Sequence, residues 1–228
     1  MAQLLDVFYS GVNNSSISLV LEFLPKSLEQ MQIEAFGAHV LKKLQKKRQQ
    51  AQAKESSEES QGEDQQENSF PGFISQAMVK NVMRQVLTGL AEMHEVGVWH
   101  RDVKVDNIML DQEGTVKFID FNISKLIVAE EQSNRHTKNV VTRNYRAPEV
   151  FFGDVGYDGA KVDTWSAGCV LGELLCNDGH FFAASSDIEQ LCKIFEILGT
   201  PDVENDWPEC ESMPTYLPFN AQAGKDLG

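Results

Sequence analysis

Between residues 100 and 107 the chain reads His100-Arg101-Asp102-Val103-Lys104-Val105-Asp106-Asn107, and it runs on into the apolar triplet Ile108-Met109-Leu110. These residue types at this spacing suit phosphoryl transfer, which asks a protein for positioning and charge neutralisation rather than covalent chemistry. A carboxylate must accept the proton of the attacking hydroxyl, and Asp102 is that carboxylate. Lys104, a cation two residues on, can reach a transferring phosphoryl group. Asn107, with a side-chain oxygen five residues on, can hold a magnesium ion. A second carboxylate, Asp120, follows the run Val116-Lys117-Phe118-Ile119 and opens Asp120-Phe121-Asn122. Tyr145-Arg146-Ala147-Pro148-Glu149 and Asp163-Thr164-Trp165-Ser166-Ala167-Gly168 come later in the chain.

These groups need elements to hold them. Residues 4–9 and 16–24 read as two strands, with Gly11 and Asn13-Asn14 supplying the turn and Pro25 ending the second. Val79, Val82, Met83, Val86, Leu87, Leu90 and Met93 recur at three- and four-residue steps, the stripe of a helix with one buried face. Ile108–Leu110 and Val116–Ile119 read as strands around a turn ending at Gly114. Residues 163–176 read as an apolar helix, and a further helix starts near Ser186, where Ser186 and Glu189 fit a capping box. Residues 32–70 differ in kind. Leu41 to Arg48 is basic and helix-prone, and Glu55 to Glu67 is acidic and rich in Ser and Gln. Such a stretch buries too little apolar surface to offset its ordering entropy, so a helix-prone start fading into a disordered insertion is expected.

Composition excludes several function classes. With 34 acidic against 20 basic residues the formal net charge is -14, which repels a phosphate backbone and argues against nucleic-acid binding. Cys169, Cys176, Cys192 and Cys210 form no C-x-x-C pair, which points to a reducing compartment without a zinc site. No run approaches the roughly 18 apolar residues of a membrane span. An intracellular protein of cytoplasm or nucleus, without a membrane partner, is expected. The basic cluster at 41–48 reads as a solvated helix face before it reads as a nuclear localisation signal.

Residues 100–107 resemble the catalytic loop of eukaryotic protein kinases, H-R-D-L-x-x-x-N, with Val103 in place of Leu. Asp120-Phe121-Asn122 resembles the kinase D-F-G, with Asn122 in place of Gly. Ala147-Pro148-Glu149 matches A-P-E, Asp163-Thr164-Trp165-Ser166-Ala167-Gly168 resembles the kinase helix whose Asp braces the catalytic loop, and all four motifs fall in the family's order. Val140-Val141-Thr142-Arg143-Asn144-Tyr145-Arg146-Ala147-Pro148-Glu149, Leu19–Leu24 and Leu198-Gly199-Thr200-Pro201-Asp202 are similar to cyclin-dependent kinases. The resemblance implies an α+β, two-lobed fold. Residues 1–31 would be a remnant of the small lobe and the hinge, 32–70 a charged low-complexity insertion, and 71–228 part of the helical large lobe.

The resemblance further implies ATP-dependent phosphorylation of protein Ser or Thr before Pro, with ATP and Mg2+ as cofactors. Partners would be a protein substrate and, in an intact form, a cyclin. Asp102 and Lys104 would be catalytic, and Asn107 and Asp120 would hold the metal. Glu22, Phe23 and Leu24 would bond adenine, with Leu21 as gatekeeper and Met109 as the floor beneath the ring. Thr137 would be the activating phosphosite, facing Arg101 and Lys125. His100, Phe121 and Leu4 would form an apolar spine, and Thr142, Glu149 and Asp163 would be structural. Gly at position 122 would allow backbone angles closed to most residues, and Asn tolerates the left-handed region. No G-x-G-x-x-G and no V-A-I-K strand occurs in the 228 residues. A piece of a kinase domain is therefore expected. The competing reading is a non-catalytic pseudokinase or binding fragment.

Overall fold

The computed structural model describes residues 1–10, 16–55, 74–127, 141–154, 156–176, 179–202 and 206–225. Strands β1 (Leu4–Ser10) and β2 (Ser16–Leu21) pair antiparallel from Leu4↔Leu21 to Ser10↔Ser16. This hairpin lends nothing to the core: Leu4, Leu5, Phe8, Ile17 and Leu19 are all more than half exposed. The core begins at Leu24 and Leu28.

A short strand, β3 (Lys26–Ser27), leads into helix α1 (Leu28–Glu55). Ser27 and Gln30 cap its start reciprocally. Ser27 Oγ accepts from Gln30 N at 3.1 Å, and Gln30 Oε1 accepts from Ser27 N at 2.9 Å. Leu28 is fully buried, and Met31 and Ala35 pack on the core. That buried turn nucleates the helix, and the Ala-, Leu-, Lys- and Gln-rich sequence beyond propagates it through the first part of the stretch expected to be an insertion. Residues 56–73 lie outside the described residues.

Helix α2 (Gln76–Glu95) is capped by Ser75 and buries Val79, Val82, Met83, Val86, Leu90 and Met93. Leu87, at the edge of the stripe, stays half exposed. Strand β4 (Val98–Trp99) follows. Strand β5 (Ile108–Leu110) is the centre of a three-stranded sheet, antiparallel to β3 on one side and to β6 (Val116–Phe118) on the other. Asp111 builds the β5–β6 turn by accepting from Thr115 N at 2.7 Å and Glu113 N at 3.1 Å. Strand β7 (Lys125–Leu126) pairs with β4.

Helices α3 (Pro148–Phe151), α4 (Gly159–Leu175) and α5 (Asp187–Leu198) follow. Asp158 caps α4 and Ser186 caps α5. Glu189, expected to close a box on Ser186, instead accepts from the preceding Ser185, from its N at 2.8 Å and its Oγ at 2.6 Å. The side chains of α2, α4 and α5 share one core with Tyr145 and Phe152. No helix among the described residues is long and apolar enough to cross a membrane.

Candidate active site

Residues 100–107 run between β4 and β5, beneath the N-terminal half of α4. Asp163, wholly buried on α4, clamps their start: Oδ2 accepts from His100 N at 2.8 Å and Oδ1 from Arg101 N at 2.7 Å. Asp163 was expected to be structural, and the structure places it on the two amides before Asp102. His100 is fully buried. Its Nδ1 accepts from Asp102 N at 3.2 Å, so Nε2–H donates to Ile119 O at 3.0 Å. Burial lowers the His100 pKa against the opposing pull of Asp163, which suits this neutral tautomer. Its ring lies 4.7 Å from that of Phe121. Leu4, the third expected member of that spine, is 52% exposed in the hairpin.

Asp102 is ringed by donors. Lys104 Nζ stands 2.8 Å from Oδ2. Asn107 Nδ2 donates to Oδ2 and to the Asp102 carbonyl, both at 2.9 Å. Thr142 donates to Oδ1 from its hydroxyl at 2.7 Å and its amide at 3.2 Å, and its hydroxyl accepts from Lys104 at 3.1 Å. Burial pushes the Asp102 carboxyl up, but the bonds from Lys104 and Thr142 outweigh it and hold the carboxyl below its usual range. An ionised carboxylate beside an ammonium can orient and deprotonate a hydroxyl. Asn107 spends its amide nitrogen on Asp102, which leaves its side-chain oxygen for a cation.

Asp120 is exposed, and no described residue bonds its carboxylate. Carboxylate and amide oxygens are hard donors of the kind Mg2+ takes, so Asp120 and Asn107 are the two residues here that could offer oxygens to such an ion. Among the described residues no group of three His, Cys, Asp or Glu side chains could hold a metal ion. The left-handed backbone expected at Asn122 is absent there. It falls instead on Asp120, at φ 61°. Asn122 lies in the turn closed by Ser124 N to Phe121 O at 3.0 Å, which any residue can adopt. Asn122→Gly therefore gains no strain relief and loses about 0.5–1 kcal/mol of loop entropy. Turnover of the Asn122→Gly protein is expected within about threefold of the parent. A dead parent restored to Mg2+-dependent nucleotide binding and turnover would show instead that Asn122 blocks the site.

On the hinge side, Glu22 N donates to Gln3 O at 2.9 Å, so this amide is already used. The Glu22 carboxylate accepts from Gln3 N at 2.7 Å and pairs with Lys117 at 3.2 Å, and the Gln3 bond leads in holding its pKa low. Among the described residues no backbone acceptor takes the N–H groups of Phe23 and Leu24. Phe23 is 84% exposed, Leu24 is buried and Leu21 is part-exposed. Met109 is half-buried on β5, opposite Ser27.

Next to Thr142 in the site, Val141 has φ 71°, an outlier for a β-branched residue. Arg101 (φ 64°), Asp120 and Val141 are the three non-glycine residues with positive φ among those described, and all belong to this site. Strain gathered in this way marks functional backbone. Arg146 caps the turned Val141 carbonyl, with Nε at 3.3 Å and Nη2 at 3.1 Å. Asp187 holds Arg143 at 2.9 Å and Arg146 at 3.5 Å. Tyr145 donates to the buried Glu173 at 2.6 Å. Glu149 opens α3, and burial pushes its carboxyl up; no ion pair to it is formed among the described residues. Arg101 donates to Ile123 O at 2.6 Å and Tyr157 OH at 3.4 Å. Thr137 lies outside the described residues.

Three contributors were not assigned from sequence. Val141 and Arg146 stand in a quoted motif whose geometry the letters do not convey. His94 bonds Asp163 from six residues before the motif.

The protein kinase domain family matches the chain over residues 2–225. The chain belongs to that family. Within it the chain is cyclin-dependent-kinase-like. It is 40% identical over 154 residues to cyclin-dependent kinase 7 of Xenopus laevis, a match covering 68% of this chain and 42% of the relative. It is 41% identical over 143 residues to human cyclin-dependent kinase 20, covering 63% and 40%. The chain thus spans about two fifths of the length of these relatives. A solved structure of the yeast RNA Pol II CTD kinase CTDK-1 complex superposes with a TM-score of 0.67 at 25% identity, over 93% of this chain and 56% of the other.

Proposed function

We propose that this protein transfers a phosphoryl group to Ser or Thr of protein substrates, at sites followed by Pro. The observation that carries the reading is the Asp102 carboxylate, held ionised by Lys104, Asn107 and Thr142 at one end of a strained loop. Bound ATP with Mg2+ would supply the phosphoryl group. Asp102 accepts the proton of the substrate hydroxyl as that oxygen attacks. Lys104 neutralises charge beside it, and Asn107 and Asp120 offer oxygens to the metal. Phe23 and Leu24 present backbone groups to adenine.

The preference for Pro is supported by Val141. Its carbonyl is turned away and taken by Arg146, so the substrate residue after the acceptor finds no acceptor for an N–H. Leaving an N–H unpaired in a contact costs about 1–3 kcal/mol, and Pro has none to leave. The likeness to proteins named cyclin-dependent kinases supports a cyclin as regulatory partner, and cytoplasm or nucleus as the place of action.

The test is phosphate transfer from ATP·Mg2+ to a peptide pair differing only in Pro or Ala after the Ser, using the full-length protein. We expect Pro to be favoured by about tenfold or more in kcat/KM, and Arg146→Met to bring the two within about twofold, because the freed carbonyl can then accept an N–H. No transfer to either peptide would refute the kinase reading. Equal transfer by the parent protein would refute only the Pro preference.

A further inference from the structure

We propose that His94 is a positioning residue for residues 100–102, an inference that rests on the kinase reading above. His94 sits in the last turn of α2, its side chain 17% exposed, with Nε2 2.9 Å from Oδ2 of Asp163. The Asp163 carboxylate therefore collects three donors: the imidazole from α2 and the successive amides of His100 and Arg101. It is itself anchored on α4.

The two loop amides alone do not fix the loop. A carboxylate bonded only to them can rotate about its own side-chain bond and carry the loop with it. The third bond comes from a different rigid helix and stops that rotation. What it holds is strained, because Arg101 has φ 64° and gains by relaxing. The next residue is Asp102, whose own amide bonds the His100 ring. A turn at Arg101 therefore swings the Asp102 carboxylate away from Lys104 and Thr142. His94 touches none of these groups, nor the place of a substrate, so its effect is confined to geometry. With its side chain reaching solvent, a lost imidazole is replaced by water, which bonds Asp163 without tying it to α2.

The experiment compares parent, His94→Ala and His94→Gln proteins. Gln carries an N–H at nearly the reach of the imidazole Nε2. In His94→Ala we expect kcat for peptide phosphorylation to fall about tenfold or more, since small misplacements of reacting groups carry such costs, with KM for ATP and peptide within about twofold. Hydrogen exchange of the His100 and Arg101 amides should quicken by about tenfold, because their local opening becomes easier. Gln should restore kcat and both exchange rates to within about threefold of the parent. A His94→Ala protein with a lower melting temperature but parental kcat and exchange at both amides would overturn the proposal, as would a Gln variant no better than Ala. Should His94→Ala fail to fold, His94→Asn, whose amide falls short of Asp163, takes its place with the same expected outcomes. A parent protein without turnover would refute the kinase reading; the exchange rates would then decide the role of His94 by themselves.

Discussion

Asp102→Asn is expected to lower turnover of the full-length protein by about 10³-fold, within the range for loss of a general base, while nucleotide affinity stays within about twofold. Asn keeps the shape and the bond to Thr142, so the loop should remain folded. What it loses is the ability to take a proton, together with the charge that holds Lys104 at 2.8 Å. Nucleotide affinity is spared because the hinge backbone and the metal oxygens of Asn107 and Asp120 are other groups. The measurement is steady-state phosphorylation of a Ser-Pro peptide alongside calorimetric titration with ATP·Mg2+. Turnover surviving within about tenfold would remove Asp102 from the role of base. A collapse of both turnover and affinity would mean that the substitution had unfolded the loop.

Asp163→Ala should have the second-largest effect, expressed first in stability. The carboxylate is fully buried and accepts from His94, His100 N and Arg101 N. Removing it strands two buried amides and an imidazole, a loss of about 3–5 kcal/mol by analogy with other broken buried pairs. In a chain of this size that corresponds to a melting temperature lower by roughly 10 °C. Turnover should fall with it, because the clamp on Arg101 is gone and Asp102 follows directly. Asp163→Asn keeps one acceptor oxygen and should be milder on both counts. A melting temperature for Asp163→Ala within about 2 °C of the parent would show that water or a repacked α4 satisfies the two amides, and the clamp would lose its importance.

The sequence by itself determined whatever depends on residue type and short spacing. The carboxylate, cation and amide of Asp102, Lys104 and Asn107 are legible because their chemistry belongs to the side chains and one loop sets their spacing. The starts of α1, α2 and α5 are legible in principle, because a Ser hydroxyl capping an amide three residues on is a local bond. The buried stripe of α2 is legible because helical geometry repeats it, though Leu87 at its edge is not, since its exposure depends on what lies opposite. The tertiary structure decided the rest. Nothing in the letters says that Asp163 reaches back 63 residues to His100, or that His94 supplies its third donor. Position 122 drew attention because Gly is the residue for left-handed backbone, yet the strain fell on Asp120, two residues earlier. Val141 is still less expected, since a β-branched residue disfavours positive φ, and only the guanidinium of Arg146 on its carbonyl shows what holds it there. Local propensity ranks conformations within about 1–2 kcal/mol per residue. Several bonds to distant buried groups, at about 0.5–1.5 kcal/mol each, together exceed that, so where such bonds converge the backbone takes the conformation they impose.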